Sequence, residues 1–192
     1  MNDQKIFITA DWHFDHKNTV IGQSSWTNSN PFRKFDSVDH MNTTIIDRIN
    51  ERVRSKDILW CLGDVMFGGL KRFPALMSRI HCNNINLIYG NHDSALKKGN
   101  LYKTLFATHQ SYKSFKYKDN RIVLFHYPII SWNGISKGAI QLYGHCHGNL
   151  PDTGRRQMDV GVDTNNFYPY SLDEIVNKML KRPIFTAGDH HD

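Results

Sequence analysis

The sequence predicts an α/β fold on three observations. Strand-length apolar runs alternate with helix-period patterns through the first half of the chain. Five such runs along the chain end in residues that bind metals or carry protons. Glycine precedes the polar residues at three of those ends, Gly63, Gly90 and Gly144, and lets the chain turn sharply where a strand stops. Ligand sites in open α/β sheets lie just beyond the carboxyl ends of strands, so the pattern points to strand ends converging on a polynuclear metal site.

The elements follow in order. Ile6-Phe7-Ile8 leads to Asp11-Trp12-His13, and the run from Asp57 leads to Gly63-Asp64. Between them, residues 20–35 are rich in Ser, Asn, Gly and Trp and read as a long loop of the kind that forms a substrate flap. Asp36 is placed to cap a helix with Asp39 in its first turn, and Met41, Ile45, Ile49 and Val53 give that helix a core-facing stripe. A second helix is expected over residues 70–80, with Pro74 confined to its first turn. The run ending at Tyr89 leads to Gly90-Asn91-His92-Asp93. Asp119-Asn120 divides residues 111–118 from 121–125 and predicts a hairpin, whose second strand leads to His126. Ile140-Gln141-Leu142-Tyr143 leads to Gly144-His145-Cys146-His147, and residues 157–162 read as a further strand. Ser171 with Glu174 is a capping-box signature for a final helix running through Leu180. Residues 186–192, with His190-His191-Asp192, are expected to fray.

No repeat and no linker divides the chain, so its 192 residues are expected to form one domain. Hydrophobic residues make up 40% and no apolar run is long enough to span a bilayer, which excludes a membrane partner. The N-terminus lacks the layout of a secretory signal, and three cysteines (Cys61, Cys82, Cys146) cannot all pair. The expectation is reduced thiols in a cytoplasmic protein. The net charge of +6 suits an anionic substrate, although the basic residues are scattered and a pair such as Arg33-Lys34 reads equally as solvated surface or as part of a binding patch.

The candidate ligands are Asp11, His13, Asp64, Asn91, His126, His145 and His147. Along an extended strand, positions two apart face the same way, so Asp11 with His13, and His145 with His147, are expected to share a side and Cys146 to point away. Carboxylate, imidazole and amide oxygen together suit Mn, Fe, Zn or Ni, and fit neither a thiolate zinc site nor a calcium loop. Seven ligands exceed one ion's needs; a bridging Asp64 would divide them into two sets of four. Asp57 and Asp163 read as structural strand-end residues. Trp132 and Tyr127 read as packing, and His16, Lys17 and Asn18 as candidate substrate contacts.

Asp11-x-His13, Gly63-Asp64, Gly90-Asn91-His92-Asp93, His126 and Gly144-His145-x-His147, in that order, resemble the motif set of the calcineurin-like metallophosphoesterases. The opening Asp11-Trp12-His13-Phe14-Asp15-His16-Lys17-Asn18 resembles a small phage and bacterial branch of that superfamily. The resemblance implies an αββα architecture, two mixed sheets packed as a sandwich flanked by helices. It implies two divalent transition-metal ions (Mn, Fe, Zn or Ni), one on Asp11, His13, Asp64 and His147 and the other on Asp64, Asn91, His126 and His145. It also implies in-line attack by a metal-bridging hydroxide, with His92 as catalytic proton donor and Asp93 orienting its imidazole. Protein phosphatases of the superfamily continue Gly-Asp with an acidic-Arg-Gly segment, where this chain has Val65-Met66-Phe67-Gly68, and carry Arg after Asn-His, where it has Asp93. That departure favours a phosphodiesterase acting on nucleotide or nucleic-acid phosphodiesters. A phosphomonoesterase remains the close alternative, and a non-catalytic scaffold, whose hallmark is lost ligands, the alternative of another class.

Overall fold

The apolar runs become strands because the first sheet and most of the second are covered on both faces, which allows continuous hydrophobic sequence. The computed structural model describes residues 4–20, 33–67 and 69–185. Strands β1 (Ile6–Thr9), β2 (Ile58–Cys61), β3 (Asn84–Ile88) and β4 (Thr108–Gln110) pair in parallel in one sheet. A second sheet holds β5 (Tyr112–Tyr117), β6 (Asn120–Phe125), β7 (Ile140–Tyr143) and β8 (Gln157–Asp159), with β5–β6 antiparallel and the other pairs parallel. The short β9 (Tyr170–Ser171) closes the first sheet antiparallel to β1, giving the order β4-β3-β2-β1-β9. The two mixed sheets are those expected.

Alternation sets the layers. Phe7, Leu59, Cys61, Ile85 and Leu87 face helices, while Ile8, Trp60 and Ile88 meet Ile122, Leu124, Ile140 and Leu142 of the second sheet. On the helical side lies α1 (Val38–Arg52), whose Met41, Ile45, Ile49 and terminal Val53 are all buried, as the stripe requires. Its N-cap is Ser37, which corrects the expectation of Asp36. Ser37 is extended and its hydroxyl accepts from His40 N at 3.1 Å, whereas Asp36 lies one residue outside and faces the His40 ring at 3.4 Å.

The expected helix over residues 70–80 is broken into a 3-10 turn (Leu70–Arg72) and a short α2 (Phe73–Met77). Pro74 sits at the start of α2, where its missing N–H costs nothing, and the chain beyond Met77 tightens into i→i−3 bonds at Arg79 and Ile80. Two short helices without a strong sequence signature, α3 (Ser94–Gly99) and α4 (Tyr102–Leu105), fill the way to β4. The hairpin turn falls one residue earlier than expected: Asn120 already pairs with Tyr117, and Lys118 takes the left-handed conformation at φ 52°. The strand expected over 157–162 stops at Asp159, because the Asp159 carboxylate accepts from Gly161 N and bends the chain into a 3-10 turn (Val162–Thr164).

The final helix α5 (Leu172–Met179) opens on the predicted capping box, Glu174 N to Ser171 Oγ at 3.1 Å and Ser171 N to Glu174 Oε2 at 3.0 Å. Its Leu172, Ile175, Val176 and Met179 join the inter-sheet core. Among the described residues no helix is long and apolar enough to cross a membrane. The expected flap falls largely, and the frayed tail wholly, outside the described residues.

These caps make a paired prediction for urea unfolding. Ser37→Ala lowers stability by about 1 kcal/mol, while Asp36→Ala stays within about 0.5 kcal/mol. Equal losses would refute the cap assignment.

Candidate metal centre

Parallel pairing continues past the strand ends and carries the polar residues with it. Asp11 N bonds Gly63 O, His13 N bonds Asp64 O and Phe14 N bonds Val65 O, so the segments after β1 and β2 stay zipped. The backbone is left-handed at Asp11 (φ 59°), His13 (49°), Asp64 (54°), His145 (69°) and His147 (49°). This corrects the strand-alternation argument: the candidate ligands leave extended structure, and repeated left-handed turns aim them. Such residues cost free energy in the backbone and persist where the surroundings over-determine them. Glycines make room. A Cβ on Gly90 would collide with Asp64 Oδ1, and one on Gly63, at φ 94°, with Gly90 N and His126 Nδ1.

The result is two adjacent clusters. Asp11, His13 and His147 bring one potential ligand atom each within 4.8 Å of one another, and so do Asp64, His126 and His145. Asn91 joins the second cluster, its Oδ1 3.0 Å from His126 Nε2. Asp64 Oδ2 lies between the clusters, 3.8 Å from His13 Nε2 and 3.5 Å from His126 Nε2.

The donors fit divalent cations. Neither ring nitrogen of fully buried His13 has a hydrogen-bond partner, a costly state that a metal would relieve. The Asp11 carboxyl, also buried, is pushed up by burial to about 7. Burial would likewise raise Asp64, but the neighbouring His126 and His13 hold it at about 2. Second contacts fix the rings. His126 Nδ1 donates to Leu62 O at 2.6 Å and His147 Nδ1 to Asp163 Oδ2 at 2.7 Å, which makes Nε2 the basic nitrogen of each.

Asp163 therefore does more than end a strand. Its carboxylate also receives the buried Arg33, at 2.8 Å from Nε and 2.9 Å from Nη2, and the same guanidinium donates to Trp12 O and Asp11 O. Burial would raise the Asp163 carboxyl, yet Arg33 and His147 hold it well below the usual carboxylate range. Arg33 thus ties the Asp11–His13 segment to the His147 ring. Nothing in Arg33-Lys34 announces this, whereas Asp163, two residues after Gly161, carries a local context much like that of Asp64.

His92 is half-buried, with Nε2 4.0 Å from Asp64 Oδ2 and its backbone N–H held by Asp64 Oδ1 at 2.9 Å. Asp93 does not orient its imidazole. The buried Asp93 carboxylate accepts from the backbone N–H groups of Asp64, Val65 and Gly90, so it positions the chain beneath the centre. His16 is buried, stacked on Phe67 at 3.7 Å and 5.2 Å from the His13 ring. Lys17 and Asn18 are exposed, and no hydrogen bond among the described residues ties them to either cluster. Trp132 is a packing residue, its indole N–H bonded to Ala139 O, but Tyr127 is exposed and lies edge-on to the rings of His145 (4.7 Å) and His126 (4.9 Å).

Asp93→Asn replaces one acceptor oxygen by an NH₂ facing backbone donors. Urea unfolding should show a loss of about 2–4 kcal/mol; a loss confined to activity, with stability intact, would restore the imidazole-orienting role.

Residues 4–191 match the family model for calcineurin-like phosphoesterases. An uncharacterized protein of Methanocaldococcus jannaschii is 31% identical over 189 residues, 94% of either chain. A solved protein of unknown function from Aquifex aeolicus shares the fold at TM-score 0.71 and 22% identity, over 92% of this chain and all of that one. YfcE, a phosphoesterase from E. coli, aligns at TM-score 0.47 and 14% identity, over 82% of this chain and 78% of its own. The chain belongs to the calcineurin-like phosphoesterase family and is a metal-dependent phosphoester hydrolase.

Proposed function

We propose that this chain, as one metallophosphoesterase domain, hydrolyses phosphodiesters of the nucleotide or nucleic-acid type at a centre of two divalent transition metals. The observation that carries the reading is the Asp64 carboxylate, one oxygen of which lies between two otherwise separate donor clusters. Asp11, His13 and His147 with Asp64 would hold one cation, and Asp64, Asn91, His126 and His145 the other. When bound, such a pair supplies positive charge to the phosphoryl oxygens and to the attacking water. Mixed nitrogen and oxygen donors favour Mn, Fe, Zn or Ni.

The protein's own part is positioning and proton transfer. Arg33 and Asp163 lock the His147 ring, Leu62 O locks His126, and Asp93 fixes the backbone on either side of Asp64. His92, partly open to solvent and held by Asp64 through its backbone, hands a proton to the leaving oxygen. His16 is lowered by burial to about 4, so near neutral pH it meets a phosphoester as a neutral hydrogen-bonding ring. Lys17 and Asn18 would contact outer parts of the substrate. The three cysteines are unpaired, which supports a reducing, cytoplasmic setting.

His92→Ala should keep its metal content by elemental analysis yet lose about 10²–10⁴ in rate on bis-(p-nitrophenyl) phosphate. Preferred turnover of p-nitrophenyl phosphate would shift the reading to a monoesterase. Metal uptake without turnover of either ester would make the protein a scaffold.

Metal uptake should also depend on pH. Asp11 carries a proton below about 7, and that proton must leave before the carboxylate can bind. Burial would lower His147, but Asp163 and Asp11 raise it, whereas burial keeps His13 neutral. Mn²⁺ affinity of chelator-stripped protein, measured by calorimetry, should therefore climb with pH up to about 7, with proton release, and level off above it. Affinity independent of pH below 7 would remove Asp11 from the ligand set.

A further inference from the structure

The hairpin β5–β6 carries an ordered surface that the linear sequence hides. Its register pairs Tyr112 with Phe125, Ser114 with Val123 and Lys116 with Arg121. These residues share the face opposite the inter-sheet core, which takes the alternate residues Phe115, Tyr117, Ile122 and Leu124. Val123 is covered by Trp132, Ile135 and Ala139, so between the two ends the face is open along the edge strand β5, past the half-buried Ser114. Tyr127 continues that line at the strand's end. Its ring lies 5.6 Å from Phe125, which lies 6.5 Å from Tyr112. Tyr127 also touches the His126 and His145 rings, so the line begins at the metal centre.

Going outward, the chemistry changes from aromatic to basic. Tyr127 and Tyr112 are exposed and Phe125 is half-buried, so each offers part of its ring to a partner. Lys116 and Arg121 are exposed, Arg121 bonds only the Ser114 hydroxyl, and neither is paired with a carboxylate among the described residues. Same-face neighbours along a strand lie about 7 Å apart, so the line extends from the centre as a track and not as a single contact. Aromatic platforms followed by unneutralised cations are the means by which proteins hold unpaired bases and their phosphates.

We propose that this line is a track for single-stranded nucleic acid, with the bases next to the scissile phosphate on Tyr127, Phe125 and Tyr112 and the phosphates beyond them on Lys116 and Arg121. It rests on the phosphodiesterase reading and narrows it to unpaired strands. A duplex would keep its bases stacked on one another and leave the aromatic rings unused.

The test is fluorescence anisotropy of the as-purified protein with a labelled phosphorothioate oligothymidylate, alongside turnover of bis-(p-nitrophenyl) phosphate and of the ordinary oligonucleotide. Tyr112→Ala should weaken binding about fivefold or more. Lys116→Ala/Arg121→Ala should make the slope of log affinity against log salt shallower by about 1.4. Both should lower the ratio of oligonucleotide to small-diester turnover, while Lys181→Ala, on the exposed segment after α5, binds as wild type. Wild-type affinity and slope in all variants would overturn the track, as would equal binding of a duplex. If the small diester is hydrolysed but the oligonucleotide does not bind, the track fails and the functional reading stands. If binding depends on Tyr112 but no diester is hydrolysed, the functional reading fails and the track stands.

Discussion

The whole centre depends on where one carboxylate can sit. Asp64 has to present an oxygen to imidazoles from three directions, and every neighbouring segment is shaped by that demand. Its backbone N–H is held by Asp93, its other carboxylate oxygen holds His92 N–H, and Gly90 must lack a side chain for the carboxylate to fit at all. Three parallel strands, β1 to β3, deliver Asp11, Asp64 and Asn91 to the carboxyl-end side of one sheet. The second sheet, packed against the first, delivers His126 and His145 from the other side. The sandwich is thus a means of bringing donors together from two sheets whose own cores are apolar.

Placement is achieved with backbone as much as with side chains. Asp11, His13, Asp64, His145 and His147 are all left-handed, each at a cost that an isolated loop could not sustain. The Arg33–Asp163 pair helps sustain it. A buried guanidinium that donates to the carbonyls of Asp11 and Trp12 satisfies polar groups that the unusual turn leaves without strand partners. It also fixes His147 through Asp163. Because Arg33 is buried, Asp163 is largely so and their contact is bidentate, removing either member would leave an uncompensated charge beside the centre, so the arrangement behaves as a unit.

Much of this was legible in the sequence because carboxylates and imidazoles able to hold a metal are chemically distinctive and sit where strands stop. The apolar runs, the α1 stripe and the Ser171–Glu174 box were readable from local rules alone. What was not legible required knowledge of distance in space. Arg33 is one of many scattered basic residues until its guanidinium is seen against the Asp11 and Trp12 carbonyls. Asp93 looks like a partner for the adjacent His92, yet chain geometry turns it toward three backbone donors. The hairpin line is invisible because Tyr112, Lys116, Arg121 and Phe125 interleave only after antiparallel pairing. Ser37 in place of Asp36 as the cap of α1 is a smaller case: both side chains can cap, and only the extended backbone at Ser37 decides.

The departure from the protein-phosphatase pattern after Asp64 acquires a physical meaning in the fold. Val65-Met66-Phe67 is zipped to the segment after His13 by the Phe14–Met66 bridge and by Phe67 N to Phe14 O. Val65 is wholly buried and Met66 nearly so; Phe67 lays its ring flat on His16 and edge-on to His92 at 5.0 Å. A charged residue at position 65 or 66 would have to be desolvated inside this zipper, at a cost of several kcal/mol without a partner. The wall beside the proposed proton donor is therefore apolar by necessity of packing, and it lowers the local dielectric around His92. A proton transfer and a phosphoryl charge in such surroundings interact more strongly with fixed donors than they would in water.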